Sequence, residues 1–266
     1  MSWGTNELLC DNDKFIFTEY SINKILNYVC NKSIDYEITC PVSMSNDNVN
    51  FDFDNIKIGG EINYTHKGVV KTRKMVMQHS KHTIFHTHPI SSKPYPSVED
   101  IVKLLKHRDV ICNSFIFTNW GLWIISNTSK SNYYNKISED KKNKINIELE
   151  KILNNNFYIV YKKYGNKECS SKVFGGGSSS SSQSSGESSS SSQSSGGSSN
   201  SSQSSGGLND NSQSSESSAS EELTNILNIT EYIDKVCKSL SKYTSLRINF
   251  FNYYTIIKNN MTVNCA

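Results

Sequence analysis

The chain has 266 residues, with 28 Lys and Arg against 25 Asp and Glu, for a net charge of +3. A charge this mild, carried by scattered basic residues, excludes the concentrated basic patch that nucleic-acid recognition needs. No apolar run approaches the ~20 residues of a membrane-spanning helix, and Met1-Ser2-Trp3-Gly4 opens no signal peptide, so no membrane association is expected.

In chain order, Ile22, Ile25, Leu26 and Val29 recur at helical spacing and predict a helix over residues 21–31. Residues 49–58, 61–65, 69–78 and 82–88 read as strands, with His66-Lys67-Gly68 as a turn. Ile101, Leu104 and Leu105 form the stripe of a second helix, which Ser97 would cap at its N-terminus. Residues 110–118 and 122–126 form a hairpin across Asn119-Trp120-Gly121, and residues 137–153 a helix with Ile145, Leu149, Ile152 and Leu153 on one face. Residues 157–161 read as a short strand. These stripes are taken as ordinary core. From 175 to 220 the chain is nearly all Ser, Gly and Gln, too polar to offset its ordering entropy, and reads as a flexible linker. Ser220 then opens a helix carrying Leu223, Ile226, Leu227, Ile233, Cys237 and Leu240, and the alternation over 246–257 reads as a strand.

This order divides the chain into a domain at 1–170, a Ser/Gly-rich linker at 171–220 and a C-terminal helix-plus-strand segment at 221–266. The last segment is too short to build a large core alone. It is expected to return to the first domain, because an exposed surface so apolar is a liability, with a tethered partner-binding element as the alternative. Helices mixed with runs of strands predict an α+β or α/β sandwich, a mixed sheet with flanking helices.

The stretch that carries chemistry is His86-Thr87-His88-Pro89, followed by a polar loop and Pro96-Ser97-Val98-Glu99-Asp100. On an extended segment alternate side chains share a side, so His86 and His88 converge while Thr87 faces away. A carboxylate brought back by the loop supplies a third ligand. Three protein ligands leave one tetrahedral position open, the arrangement of a catalytic rather than a structural zinc. Ser97 and Asp100 also suit a helix start, and the two roles are compatible because a helix N-terminus favours negative charge.

His-x-His-Pro followed by Pro-Ser-x-x-Asp, with a glutamate upstream, resembles the signature of the JAMM/MPN metalloproteases. These zinc isopeptidases mostly remove ubiquitin or ubiquitin-like proteins. The resemblance is sharp over residues 82–105 and extends over about 20–165. It implies the MPN (JAMM, cytidine-deaminase-like) sandwich, Zn2+ as cofactor held by His86, His88 and Asp100, Ser97 as oxyanion donor, and ubiquitin or ubiquitin-like conjugates as partners. The loop 89–96 is one residue longer than is usual in that family, which a surface loop absorbs at little entropic cost. Asp100 is therefore kept as the ligand, with Glu99 as its substitute.

The site also needs a carboxylate base. Glu61, in Ile58-Gly59-Gly60-Glu61-Ile62, is the first choice, because paired glycines let neighbouring backbone approach. Glu37 is the rival: it follows the first helix, at a separation from His86 more typical of the family, but lacks a flanking glycine. Lys57 stands where many relatives carry the glutamate. The expected activity is zinc-dependent isopeptidase or peptidase chemistry. The alternative is a non-catalytic MPN scaffold or interaction module, although such members usually lack the zinc ligands.

Seven cysteines, Cys10, Cys30, Cys40, Cys112, Cys169, Cys237 and Cys265, are dispersed without Cys-x-x-Cys spacing. Their odd number predicts reduced thiols and a cytoplasmic or nuclear compartment. No Cys/His arrangement suggests a cysteine nucleophile. Heavy use of Asn, Lys and Ile together with the serine tract suggests an AT-rich genome, such as that of a large DNA virus or a protist.

Overall fold

A computed structural model describes residues 12–59, 62–65, 68–71, 79–80, 82–108, 110–127, 133–164 and 214–265. The elements run β1 (Lys14–Ile16), α1 (Glu19–Val29), β2 (Glu37–Thr39), β3 (Val42–Ser45), β4 (Asn48–Phe51), β5 (Lys57–Gly59), β6 (Ile62–Thr65), β7 (Gly68–Lys71), β8 (His79–Ser80) and β9 (His82–Thr87). They continue with α2 (Val98–Lys106), β10 (Ile111–Phe117), β11 (Gly121–Asn127), α3 (Tyr133–Lys136), α4 (Glu139–Tyr164), α5 (Ser214–Thr244), β12 (Leu246–Asn252), α6 (Tyr253–Lys258) and β13 (Thr262–Asn264). Among the described residues no helix is long and apolar enough to cross a membrane.

The centre is a five-stranded mixed sheet in the order β12-β11-β10-β9-β8, in which only β9 and β10 run parallel. Period-2 alternation gives this sheet two apolar faces. Ile84, Ile116, Trp123, Ile125, Ile248 and Phe250 face the side covered by α2, α4 and α5. Phe85, Phe115, Phe117, Leu122 and Ile124 face the other side, against α1, α6 and the four-stranded sheet β13-β1-β4-β3. The molecule is thus an α+β sandwich with helices flanking mixed sheets.

The C-terminal segment is part of this sandwich. β12 pairs with β11 along its whole length, from Leu246 against Asn127 to Asn252 against Gly121. Buried Arg108 donates from Nη2 to the Thr244 and Ser245 carbonyls at 3.0 and 3.1 Å, satisfying the C-terminal end of α5. Gly121 lies so close to β12 that an added Cβ would overlap the Phe251 carbonyl oxygen and sit 3.0 Å from the Asn252 Cα. Both neighbours are backbone and cannot turn aside. Gly121→Ala is expected to destabilise the fold by about 1–3 kcal/mol or more, read as a lower urea midpoint.

Several local expectations are corrected. The run 49–58 is broken between β4 and β5 by a 3-10 turn at Phe53–Asn55. There Asn55 Nδ2 donates to Asp52 Oδ2 at 2.7 Å, a local bond that competes with the strand ladder. Residues 157–161 lie within α4, because Leu149, Leu153, Phe157 and Val160 continue one buried helical stripe. The strand expected over 246–257 ends at Asn252, whose Oδ1 accepts from Thr255 N at 2.7 Å and caps α6. Helix α5 begins at Ser214 rather than Ser220, since extending a formed helix by a turn costs little. The rest of the Ser/Gly tract lies outside the described residues. Cys30 and Cys112 are disulfide-bonded, which overturns the expectation that all seven thiols are reduced.

Candidate metal centre

β9 places His86 on the α2 side of the sheet, in phase with Ile84, and leaves it 1% exposed. Thr87 points the other way, where its Oγ1 accepts the Ile38 N–H at 3.0 Å. His88 lies just beyond the strand end but stays in register, its N–H donating to the Phe117 carbonyl at 2.8 Å. The two imidazoles therefore meet at the C-terminal ends of β9 and β10, with Nε2 atoms 3.1 Å apart. Ligand crevices of α/β sheets form at this end of parallel strands.

The loop 89–96 carries the chain across to α2. Ser92 turns back on Pro89, donating from N and Oγ to its carbonyl at 2.9 and 3.0 Å. Tyr95 is buried against the Phe157 ring, 5.1 Å between centroids. The loop delivers Ser97 to the N-cap of α2, where a reciprocal capping box forms. Ser97 Oγ accepts from Asp100 N at 3.2 Å, and Asp100 Oδ2 accepts from Ser97 N at 2.7 Å. The box turns Asp100 inward, to 8% exposure, while Glu99 stays on the surface.

Asp100 Oδ1 lies 3.2 Å from His86 Nε2, and its Oδ2 lies 3.5 Å from His88 Nε2. Two zinc bonds of about 2.0–2.1 Å at a tetrahedral angle separate ligand atoms by about 3.3 Å. The spacings of 3.1, 3.2 and 3.5 Å lie near that value, the last two measured to different oxygens of Asp100. His86, His88 and Asp100 form a buried group that could hold a metal ion.

The polar atoms around this group also suit a cation. His88 Nδ1 is 3.0 Å from the Lys93 carbonyl, which only accepts, so Nδ1 carries a proton, and in the neutral ring Nε2 turns its lone pair inward. His86 Nδ1 is buried with no hydrogen-bond partner among the described residues. Burial by itself would lower the His88 pKa. The hydrogen bond and charge of Asp100, the charge of Glu37 and the Lys93 carbonyl together raise it above the ordinary histidine value. Burial would likewise raise the Asp100 pKa, but His86 and His88 hold it well below the usual carboxylate range. The pocket therefore stabilises positive charge opposite an ionised carboxylate. Two imidazole nitrogens and a carboxylate oxygen are a donor set that suits zinc.

Glu37 stands beside this group. β2 packs against β9 through the Ile38 N–H to Thr87 Oγ1 bond and through Thr39 Oγ1, which donates to the Phe85 carbonyl. Glu37 is 6% exposed, and its charge acts on His88. Its cross-strand partner on β5 is Gly59. Glu61 lies outside the described residues. Ser97 is exposed, and its hydroxyl donates to Asp100 Oδ2 at 2.7 Å, so in this structure it steadies the carboxylate that faces the two histidines.

No described cysteine competes as a nucleophile. Burial pushes the Cys40 and Cys265 thiols up to about 12 and raises Cys237 as well, and Cys30 and Cys112 are disulfide-bonded. Reading the sequence missed the Lys93 carbonyl and Thr87 as partners of the site. The Lys93 carbonyl carries no signal in sequence, because a backbone carbonyl belongs to every residue type, and the partner of Thr87, the Ile38 N–H, lies 49 residues away in the chain. No family model, no curated protein and no solved structure matches this chain.

Proposed function

We propose that this protein is a zinc-dependent isopeptidase or peptidase of the JAMM/MPN kind, removing ubiquitin or a ubiquitin-like modifier. The observation that supports it most is the buried convergence of His86, His88 and Asp100, with Glu37 buried at their side. Zinc in such a site supplies Lewis acidity, which polarises a carbonyl and brings the pKa of a bound water to about 7.

The chain's own groups do the rest. Glu37 takes the proton of the attacking water and returns it to the departing amine. Glu61, first choice on sequence alone, is the rival in this role. Ser97 sits at the N-terminus of α2, where rotation of its hydroxyl away from Asp100 would present an O–H to a tetrahedral oxyanion. The wall of Glu37, His86 and His88 excludes bulk water, so each charge acts through a low dielectric.

Cleavage of a panel of di-ubiquitins, abolished by a chelator and restored by Zn2+, tests the reading. A zinc-loaded chain that cuts none of them would instead favour the scaffold alternative. Metal content is the companion test. The wild type should carry about one zinc per chain, and His86→Ala, His88→Ala and Asp100→Ala should each lose most of it. Glu99→Ala should keep it, because its side chain faces solvent. Full zinc in both histidine variants would sink the site.

A further inference from the structure

We infer that Trp123, in the middle of the central sheet, is a positioning residue for the metal centre that acts through the loop 89–96. The inference rests on the metal reading of His86, His88 and Asp100. Trp123 lies on β11, fully buried, and its indole Nε1 donates to the Pro94 carbonyl at 3.1 Å. The preceding carbonyl, that of Lys93, is the one facing His88 Nδ1 at 3.0 Å. Two adjacent carbonyls of one peptide segment therefore connect the core to the ring that presents its Nε2 to the metal.

Tyr95 of the same segment is held by packing on Phe157, and the indole bond holds the backbone carbonyl itself. Lys93 is exposed, and its Nζ reaches Asn154 Oδ1 at 3.1 Å on the surface of α4. The indole bond is the buried anchor, and its position is set from both sides. Trp123 packs on Phe250 of β12, centroids 4.6 Å apart, and on Phe157 of α4 at 5.2 Å. Without the N–H, the Pro94 carbonyl would be left buried and unpaired, which favours a shift of the loop toward water. The Lys93 carbonyl would move with it, and His88 would lose the partner that selects its tautomer. β12, which follows the Ser/Gly tract in sequence, thereby bears on a metal site built from residues 86–100.

The test separates the N–H from the packing. A benzothiophene analogue of tryptophan, incorporated at position 123 alone, keeps the shape of the indole and lacks the donor. Trp123→Phe is the genetically encoded counterpart. Phe115→Leu, on the opposite face of the same sheet, is the control for general loosening of the core. Zn2+ affinity by chelator competition and the His88 ring 15N shifts of the metal-free protein are the two readouts.

The expected result is Zn2+ affinity reduced roughly tenfold or more in both Trp123 variants, the lower part of the 10–100-fold range for outer-shell partners. In its neutral form, read at a pH above its raised pKa, His88 should also shift from the Nδ1–H tautomer to a mixture, with neither change in Phe115→Leu. An analogue that binds Zn2+ like the wild type and keeps the tautomer overturns the inference, as does an equal loss in Phe115→Leu. A wild type that takes up no Zn2+ overturns the metal reading instead. The 15N readout of the analogue then still decides whether Trp123 orients His88.

Discussion

Glu37→Gln is expected to leave zinc bound and the fold intact while turnover falls by roughly 10²–10⁴, the usual worth of a positioned proton transfer. Glu37 is not among the three ligand-bearing residues, so losing its charge should not release the metal. Glutamine keeps its volume and hydrogen-bonding reach in a position only 6% exposed, so the β2–β9 packing should survive. The charge of Glu37 helps hold a proton on His88, so it already acts on the ring that faces the metal. The matched experiment is Glu61→Gln, assayed for zinc content and cleavage side by side with it. If Glu61→Gln alone abolishes turnover with zinc retained, the base is Glu61, and Glu37 serves only to tune His88. If Glu37→Gln releases zinc, the carboxylate is part of the metal's coordination or its support, and the proposed proton path fails.

Ending the chain at Ser245 is expected to abolish the fold outright. Such a chain lacks β12, α6 and β13, and with them the buried side chains of Leu246, Ile248, Phe250, Tyr253, Ile256 and Val263. At about 1.5–3 kcal/mol for each large apolar side chain, their loss matches or exceeds the 5–15 kcal/mol that a domain has in total. β11 would also be left as an open apolar edge along its whole length, a template for aggregation. The absence of near-ultraviolet circular dichroism and of a cooperative thermal transition would establish this. A truncated chain that unfolds cooperatively and still binds Zn2+ would show that the chain up to Ser245 folds without β12, α6 and β13.

Some elements were legible because their cause is local. The helix at residues 19–29, the hairpin across Asn119-Trp120 and the helix start at Ser97 follow from apolar period, turn residues and capping chemistry within a few positions. The elements read wrongly failed where a distant partner or a competing local bond decided. Phe157 and Val160 look like a strand until the buried stripe of α4 is seen to need them. Residues 253–257 alternate like a strand, but the Asn252 side chain ends the ladder by capping α6. Cysteine parity pointed to free thiols, and pairing depends on proximity in space, which spacing along the chain does not encode.

By itself the sequence determined the kind of donors at the site. His86 and His88 must share a side because a strand alternates, and a carboxylate returns to them from the first turn of the helix that Ser97 caps, which carries Glu99 and Asp100. Tertiary structure alone decided what surrounds that set. It turned Asp100 rather than Glu99 inward, brought Glu37 from β2 and Gly59 from β5 to its side, aimed the Lys93 carbonyl at His88, and drew β12 into the sheet behind it. The physical reason is the range of the interactions involved. Alternation and capping act over two to four residues, whereas burial, cross-strand pairing and hydrogen bonds to loop carbonyls join residues that only the folded chain makes neighbours.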